Sequence, residues 1–481
     1  MQHYYLYEHR THLPVAKLGM DVNTLRGHLQ QLWDNRPRVP FWRASEDDGS
    51  TSQRFLRFHG DDGTVSISAR NYVGQIQLEG CTLHLLPKIF YPGKDAVVIE
   101  PSEHHLQAMH AHLFWWLSYS NRLRFPRSLS AFAAQPTSLL EVLIWLFAQY
   151  THELLSRSHY QHYQEVSEDL STLRGHLNFG TYAGYYATGR GHHLPCTYDS
   201  FQLDNRFNRI LKYVTYRLLH LSNQPESRRL LQEIHFQLDE VGDQVATLTD
   251  CDGVRLSPLF DDFRVVLDYC RLFLADSAPL AAHSEEVRVF ALLMPTEVLF
   301  EQFIEGFVRQ HLADAFKVRS QTKGLYLAHV KPAHGKSYAR FELRHDLLLE
   351  SHAHSFRQLI VDVKYKLLSL DQEAGDGVAQ ADMYQLASYA LRRGTPHTHL
   401  FYPDSLLHLA EESAGNRLDY EIEEQLSGNN MLITVSAHRL PIVLRAAFDA
   451  DQTLREGYAD LIFAHEQQLI SRLRVNLVSE L

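Results

Sequence analysis

The sequence predicts a multidomain α+β protein, with a β-rich N-terminal domain, a helical middle domain and a C-terminal α/β domain that contains a mixed sheet. Its 481 residues exceed what one compact domain usually holds. Hydrophobic residues make up 45% of the chain and charged residues 21%, as in ordinary globular proteins. The apolar pattern changes along the chain from alternation to helical spacing, and then to a mixture of both. We therefore predict domains at 1–103, 104–285 and 286–481.

The first predicted domain is β-rich after a short opening helix. The segment RFLRFHGDDG at 54–63 has the pattern of a strand that runs into a turn. Polar and apolar residues then alternate through 64–90, with turn signals at Asp61–Gly63 and Glu79–Gly80, which is typical of a meander. Gly and Pro residues between 92 and 101 mark the end of this domain.

The middle domain is predicted to be mainly helical. Dense apolar faces occur in HLQAMHAHLFWWLSYS and LLEVLIWLFAQYTHELL, and helical spacing of apolar residues recurs in 205–221. The last of these segments also carries a basic row formed by Arg206, Arg209 and Lys212. A solvated face is the simpler interpretation of that row, and contact with phosphate is the alternative.

The third domain combines helices with short strands. The segment 289–316 has the apolar spacing of one long helix, with Pro295 and Thr296 in its first turn or at a break before it. The predicted strands that follow are KVRSQ, LYLAHV, ARFELRHDLLLE and FRQLIVDVKYKLL. A helix in AQADMYQLASYALRRG, closed by Gly394 as a C-cap, and a strand in THLFYPD complete an α/β arrangement with a mixed sheet.

Charge and cysteine content limit the cellular setting. The net charge of −11 argues against a protein that coats nucleic acid through bulk charge, although a local basic lining or a metal ion would still support DNA binding at a cleft. The four cysteines form no CxxC pair, which indicates free thiols in a reducing cytosol. The N-terminus lacks the pattern of a secretory signal, and the most apolar stretch, 139–148, is too short to span a bilayer. We therefore expect a cytoplasmic protein with no membrane partner.

The segment LIVDVKYK at 359–366 places charged residues at the end of an apolar strand. Because side chains alternate between the faces of a strand, Asp362 and Lys364 share one face. A carboxylate and an ammonium are costly to bury there without partners. In the preceding strand Asp346 interrupts an apolar run, and antiparallel pairing of the two strands would bring it beside Asp362. Two such carboxylates repel each other unless a proton or a cation joins them.

A divalent cation would meet this need, because Mg²⁺ takes oxygen ligands and keeps several waters, and Mn²⁺ can substitute for it. The predicted ligands are Asp346, Asp362, the Val363 carbonyl and Glu301 on the preceding helix. Lys364 would position a water molecule or neutralise charge on a phosphate, and Gln385 on the following helix would orient the site. The pattern thus predicts metal-assisted hydrolysis of a phosphodiester. The predicted catalytic residues are Asp346, Asp362, Lys364, Glu301 and Gln385.

A simpler explanation competes with this site. An isolated D-x-K pattern is usually a solvated salt bridge at a strand end. The upstream Asp, the acidic helix before it and the Gln-bearing helix after it favour a metal site instead.

The GKS at Gly335–Ser337 has the appearance of a phosphate-binding loop, but Val330 stands where the Walker pattern needs Gly, and the segment joins two strands. We therefore predict no nucleotide site in this chain.

Several segments together resemble McrC, the nuclease subunit of McrBC-type modification-dependent restriction systems, within the PD-(D/E)xK nuclease superfamily. The likeness rests, in chain order, on LRGHLNFG, CTYDSFQLDNRFNRILKYV, LFEQF, RHDLLL, LIVDVKYK and ADMYQLASYA. It covers 105–481, and YVGQIQLEGCTLHLLPKI is similar to an extra N-terminal segment of longer members. His345 stands where the superfamily's name calls for Pro.

The resemblance implies a nuclease subunit that cuts DNA beside a ring-forming AAA+ GTPase of the McrB type. In that family the motor recognises modified DNA and translocates, and the nuclease subunit stimulates its hydrolysis. The resemblance also implies that Asp346, Asp362 and Lys364 are catalytic, with Glu301 and Gln385 in support. We expect the first two domains to dock on the motor, whose nucleotide, GTP or ATP, stays open. An adaptor that activates the motor without cutting, and a nuclease that acts alone, are the alternatives.

Three further residues match family positions outside the nuclease motif. Arg174 precedes a Gly at a predicted turn, and Asn205 and Asn208 lie at a predicted helix start. Such positions have ordinary structural roles, so we expect these residues to serve the fold.

Overall fold

The structure is a computed structural model, and it divides into two compact units. The first unit combines Met1–Leu140 with Asp276–Leu481, and the second is Glu141–Ala275. The N-terminal and C-terminal predicted domains therefore share one unit, and the exact boundaries at 103 and 285 stay predictions. The residues that the structure describes are 2–34, 53–61, 64–78, 80–93, 100–120, 139–275, 290–353, 357–368, 377–407, 417–424, 431–448 and 454–478.

The elements are numbered in chain order. The strands are β1 (Gln2–Tyr7), β2 (Leu13–Pro14), β3 (Leu56–Asp61), β4 (Thr64–Ala69), β5 (Tyr72–Leu78), β6 (Cys81–Leu86), β7 (His162–Leu170), β8 (His176–Leu177), β9 (Leu194–Gln202), β10 (Phe290–Pro295), β11 (Phe316–Val330), β12 (Tyr338–Ser351), β13 (Gln358–Val363), β14 (His397–Pro403), β15 (Arg417–Glu424) and β16 (Met431–Leu440). The α-helices are α1 (Val22–Asp34), α2 (Glu103–Tyr119), α3 (Leu139–Arg157), α4 (Phe179–Ala187), α5 (Arg206–Leu221), α6 (Pro225–Gln237), α7 (Leu248–Asp252), α8 (Phe263–Ala275), α9 (Thr296–His311), α10 (Gln380–Arg393) and α11 (Leu454–Val478).

The N-terminal part of the first unit contains two small sheets. One has the strand order β1-β6-β5-β10, and the other has the order β2-β4-β3. The predicted meander is therefore divided into two antiparallel hairpins, β3–β4 and β5–β6. A helix precedes the predicted strands, as expected, but it is α1, which begins at Val22, and residues 2–7 form a strand, β1, that was not predicted. Residues 2–7 form a strand because of a tertiary contact: their backbone N–H and C=O groups form hydrogen bonds with the fully buried strand β6, which runs parallel to β1.

The C-terminal part of this unit contains the predicted mixed sheet. Its strand order is β11-β12-β13-β14-β16-β15. β13, β14 and β16 are parallel neighbours, and the other pairs are antiparallel. The two segments predicted as separate strands, KVRSQ and LYLAHV, form one strand, β11, whose register shifts between Thr322 and Leu325. Gly394 ends α10 in the left-handed conformation, as predicted for a C-cap.

The long helix predicted at 289–316 is wrong in its first turns. Residues 290–295 form β10, which pairs antiparallel with β5, and α9 begins only at Thr296. Pro295 favours this break, because a proline has no N–H to continue a helix. Gly74 on β5 permits the pairing, since a Cβ at that position would lie 1.9 Å from the Leu292 carbonyl oxygen. An apolar run that looked helical is thus a strand of the N-terminal sheet.

Helix α9 carries Glu301 and is fixed against α2. A Cβ on Gly306 would lie 1.9 Å from the Tyr119 carbonyl oxygen, so only glycine allows this approach of the two helices. The rings of Trp115 and Phe303 lie 4.8 Å apart in the same interface. This close packing fixes one wall of the region in which the carboxylates meet.

The second unit contains helices and a small sheet of order β7-β9-β8. The mainly helical prediction missed these strands, because segments such as HYQEVSEDL alternate mostly polar residues and have little apolar signal. The basic row on α5 is paired within the unit, and Lys212 is buried, so the predicted solvated face is wrong for that residue. Arg206 pairs with Asp250 at 3.0 Å, Arg209 pairs with Asp204 at 2.7 Å, and Lys212 Nζ donates to the Val241 carbonyl at 2.6 Å.

Of the family-matched residues of this unit, Asn205 and Asn208 have the structural roles expected of them, and Arg174 is exposed. The Asn205 side chain caps α5 by accepting a hydrogen bond from the Asn208 N–H at 3.0 Å. Buried Asn208 donates from Nδ2 to the carbonyls of Tyr160 and Leu203. The Arg174 guanidinium lies 4.1 Å from the Tyr198 ring centre, next to the left-handed Gly175. Among the described residues no helix is long and apolar enough to cross a membrane.

Candidate active site

Asp346 and Asp362 lie side by side on the central strands of the large sheet. The pairing of β12 with β13 includes Leu347 opposite Val361, so the next residues on each strand, Asp346 and Asp362, are neighbours. Asp346 Oδ2 also accepts a hydrogen bond from the Val363 N–H at 2.8 Å. The adjacency predicted from the two sequence segments is therefore present in the fold.

Lys364 follows β13 directly and turns back towards the pair. Its Nζ lies 2.7 Å from Asp362 Oδ2, and its backbone N–H donates to the Phe401 carbonyl at 2.8 Å. The Lys364 side chain is 20% exposed, whereas that of Asp362 is 2% exposed. An ammonium at the mouth of a buried carboxylate site can meet an anion that enters from solvent.

Glu301 approaches from α9 and is held by a residue that the sequence did not single out. Gln321 Nε2 donates a hydrogen bond to Glu301 Oε1 at 2.5 Å. Ser320 pairs with Leu347 and Thr322 with His345, which places Gln321 across from Asp346. Gln321 has a φ of 48°, a left-handed value that is uncommon for a residue with a side chain. It lies next to the register shift of β11, and this irregular backbone places the Gln321 side-chain amide against Glu301.

Helix α10 forms the other wall and contributes three residues from one face. Gln385 Oε1 accepts a hydrogen bond from Lys364 Nζ at 3.3 Å, as expected of a residue that orients the site. Gln385 Nε2 donates to the Tyr389 hydroxyl at 2.6 Å. Asp382, one turn earlier, is buried and pairs with Lys366 at 2.7 Å. The helix thus fixes both lysines that follow β13.

The N-terminal part of the unit supports the chain just after Lys364. Lys88 Nζ donates a hydrogen bond to the Tyr365 carbonyl at 2.8 Å. The buried carboxylate of Glu8 accepts from the Lys88 N–H at 3.1 Å and from the Thr296 hydroxyl at the start of α9. Residues far from the carboxylate pair in sequence therefore hold two elements of the candidate site.

Burial and mutual repulsion shift the acids away from their ordinary ionisation. Burial raises the pKa of Asp346 well above its usual value, and the carboxylates of Asp362 and Glu301 raise it further. Burial also raises the pKa of Asp362, while the Lys364 ammonium opposes this effect. The pKa of Glu301 is raised to about 7, chiefly by burial. Burial lowers the pKa of Lys364, but Asp362 and its neighbouring carboxylates outweigh this effect and raise the pKa above its ordinary value. Positive charge is therefore favoured at this site.

The donor set fits a small, hard cation. Asp362 Oδ2 is buried and has no hydrogen bond of ordinary geometry, although the Lys364 ammonium lies beside it. Mg²⁺ is usually held by one or two carboxylates, with water in its remaining positions. The described residues contain no group of three or more His, Cys, Asp and Glu side chains placed around a metal position. The chain thus offers an open carboxylate pair rather than a closed cage, and Glu301 and the Val363 carbonyl stay predicted ligands.

All five predicted catalytic residues come together in the fold, and Gln321, Asp382 and Lys88 are additions. Asp382 had a signal in the sequence, because it precedes Gln385 by three residues and therefore shares its helix face. Gln321 had little signal, since its position depends on the pairing of β11 with β12. Lys88 had none in the local sequence, because its partner lies in another part of the chain.

Comparison with known proteins assigns the family. A family model described as McrBC 5-methylcytosine restriction system component matches residues 67–403. A chain from the refined half-complex of a tetradecameric assembly of Thermococcus gammatolerans McrB AAA+ hexamers with bound McrC has the same fold, with a TM-score of 0.61 and 18% identity over 96% of this chain and 100% of that chain. A chain of the cryo-EM structure of the Thermococcus gammatolerans McrBC complex has a TM-score of 0.48 and 20% identity over 66% of this chain and 90% of that chain.

No curated protein matched the chain in a sequence search. The family model nevertheless covers more than half of the chain, including Asp346, Asp362 and Lys364. The likeness of the solved half-complex extends along nearly the whole chain and confirms the multidomain α+β class. The resemblance found in the sequence motifs is therefore confirmed, and this chain belongs to the family of McrBC 5-methylcytosine restriction system components.

Proposed function

We propose that this chain is the metal-dependent DNA endonuclease subunit of an McrBC-like restriction complex and works beside an AAA+ NTPase of the McrB type. The observation that carries the proposal is the buried pair Asp346 and Asp362 with Lys364 at its mouth. Two buried carboxylates side by side repel each other unless a cation lies between them. A nuclease that binds Mg²⁺ or Mn²⁺ uses such a pair as metal ligands. The substrate is DNA, in keeping with the restriction family.

The residues would divide the hydrolysis among them. Asp346 and Asp362 would hold Mg²⁺, which when bound polarises a phosphate oxygen and makes water more acidic. Lys364 would neutralise charge that develops on the scissile phosphate, while Gln385 fixes the position of its ammonium. Glu301, oriented by Gln321, would hold the attacking water at the edge of the site. The water oxygen forms a bond to phosphorus and one P–O ester bond breaks, which leaves a phosphate monoester on one end and a hydroxyl on the other.

The second unit supplies the surface that we propose for docking on the motor. None of the residues of α4 is buried, although the helix is rich in aromatic residues. Phe179 and Tyr186 are 70% and 73% exposed. Exposed apolar groups of this size usually mark an interaction surface. The similar half-complex from Thermococcus gammatolerans consists of McrB AAA+ hexamers with bound McrC, which supports a partner of this kind.

A cleavage assay with the partner present tests the proposal. The full chain and its AAA+ partner should cut methylated plasmid in Mg²⁺ or Mn²⁺ and stop cutting in EDTA. The chain alone should show no appreciable NTP hydrolysis but should raise that of the partner. Cutting that persists after complete removal of metal would overturn the metal site. Stimulation without any cutting would identify an adaptor, and metal-dependent cutting without the partner would identify an independent nuclease.

A further inference from the structure

The hairpin formed by β11 and β12 extends beyond the large sheet and has a charge opposite to that of the chain. We define the basic hairpin as residues 323–341. This segment contains four Lys and Arg residues and no Asp or Glu, in a chain whose net charge is −11. Residues 331–338 at its tip are all exposed. Such a concentration of positive charge on an acidic protein indicates that the basic hairpin contacts a negatively charged group, either within the fold or on a partner.

Charge neutralisation within the fold does not explain the basic hairpin. Other arginines of the same two strands have acidic partners, since Arg319 pairs with Glu350 and Arg344 with Glu342. By contrast, Lys331, Lys336 and Arg340 have no ion pair within the described part of the chain. Their charges are therefore available to an external anion.

The basic hairpin also has exposed apolar groups where a soluble tip would be polar. Phe341 is 68% exposed and has a φ of 59°, a left-handed value that is unfavourable for a bulky side chain. Tyr338 is 48% exposed, and the Arg340 guanidinium lies 5.6 Å from its ring centre. Interleaved aromatic and basic side chains are typical of surfaces that contact nucleic acid.

The geometry links the basic hairpin directly to the candidate active site. Arg340 and Asp346 lie on the same strand, β12, six residues apart. At about 3.3 Å per residue, that separation is roughly 20 Å. Because duplex DNA rises about 3.4 Å per base pair, Arg340 would meet phosphates about six base pairs from the cut. The strand that carries a catalytic carboxylate thus also carries cations at a distance that a continuous duplex would reach.

We propose that the basic hairpin binds the phosphate backbone of duplex DNA beside the scissile bond. This inference rests on the proposed nuclease function and adds a second contact region to it. The GKS at its tip, which is no nucleotide-binding loop, contributes the Lys336 ammonium to a DNA phosphate. The contacts are to the backbone, so they position the duplex without selecting its sequence.

The test uses the full chain with Lys331→Gln, Lys336→Gln and Arg340→Gln combined. The matched control is Lys17→Gln, Arg26→Gln and Arg57→Gln, three exposed residues of the N-terminal part that change the net charge equally. Binding of a short labelled duplex is measured in EDTA between about 50 and 200 mM salt. Each lost phosphate contact lowers the slope of log affinity against log salt by about 0.9, so the hairpin variant should lose between about 2 and 3. The control should keep the parent slope, and melting curves confirm that both variants fold.

Cleavage with the AAA+ partner separates this inference from the nuclease proposal. We expect the hairpin variant to show a KM for plasmid raised about tenfold or more, with kcat kept at saturating DNA. If the parent cuts DNA and the variant matches the control in slope and KM, the hairpin proposal is overturned and the nuclease proposal stands. If the variant loses DNA binding but the parent does not cut, the hairpin proposal stands and the nuclease proposal is overturned. A variant that binds DNA normally but no longer stimulates the partner's NTPase shows a protein-docking hairpin, which also overturns the inference.

Discussion

Asp362→Asn is expected to abolish DNA cleavage and to leave the fold intact. The substitution conserves size, so it opens no cavity in the sheet, but it removes the ion pair to Lys364 at 2.7 Å. Removing one partner of a buried ion pair typically costs about 3 to 5 kcal/mol, because the remaining charge is stranded. Here Lys364 keeps Gln385 at 3.3 Å and Asp382 at 3.9 Å, and Asp346 loses a repelling neighbour. We therefore expect the free energy of unfolding to fall by no more than about 1 kcal/mol, which for a unit of this size is a shift of about 1 to 2 °C in Tm.

The assay compares this variant with Asp314→Asn, which makes the same chemical change at a 62% exposed side chain paired with Arg474. Melting curves are recorded in EDTA, and plasmid cleavage and partner NTPase stimulation are recorded in Mg²⁺. Asp362→Asn should cut at least about a thousandfold more slowly, which corresponds to about 4 kcal/mol of activation free energy, while NTPase stimulation stays at the parent level. Asp314→Asn should match the parent in every assay. Normal cutting by Asp362→Asn would show that the site is misassigned, and loss of the folded state would show that this carboxylate is structural.

Three further predictions concern other parts of the structure. Gly306→Ala forces a Cβ to within 1.9 Å of the Tyr119 carbonyl oxygen and should lower the free energy of unfolding by about 1 to 3 kcal/mol in denaturant titration, whereas Gly184→Ala in α4, with nothing within 4 Å, should be neutral or slightly stabilising. Burial raises the pKa of Asp404 to about 6, so between about pH 4 and pH 6 the folded chain holds a proton that the unfolded chain releases. This proton contributes up to about 3 kcal/mol to stability at about pH 4, and the contribution is lost as pH rises through 6. The Tm of the parent should therefore fall over this pH range, and Asp404→Asn should reduce that fall. Phe179→Ser with Tyr186→Ser should weaken partner binding in a pull-down at least about tenfold without lowering Tm, because neither side chain is buried, and unchanged affinity would remove α4 from the docking surface.

The adjacency at the candidate site was predictable from the sequence because it depends on local rules. Alternation along β13 placed Asp362 and Lys364 together, and a short connection made antiparallel pairing with the strand of Asp346 the simplest arrangement. The C-cap at Gly394 followed from the need for a left-handed residue at the end of a helix. These predictions needed no knowledge of distant contacts.

The errors have a common physical cause, which is tertiary pairing that overrides the local pattern. The run FALLMP is apolar at every position, a pattern that fits a buried helix as well as a strand, and its backbone bonds to β5, which is far away in sequence. The opening segment likewise becomes a strand because β6 offers a buried edge. Gln321 is placed by a register shift in β11 that alternation does not reveal. In each case the strand that determines the structure is too far away in sequence for the local spacing of apolar residues to reveal it.

These tertiary pairings change what the N-terminal residues are for. β5 binds β10, the Asn71 amide donates to Glu297 on α9 at 2.8 Å, and Lys88 holds the Tyr365 carbonyl. The first hundred residues therefore complete the unit that contains the carboxylates, and the second unit is an insertion into that unit in sequence. A division of labour between docking and cutting would then follow the two units rather than the order of the chain. Loss of the N-terminal residues should accordingly damage cutting first, since it would uncover β10 and release the segment that follows Lys364.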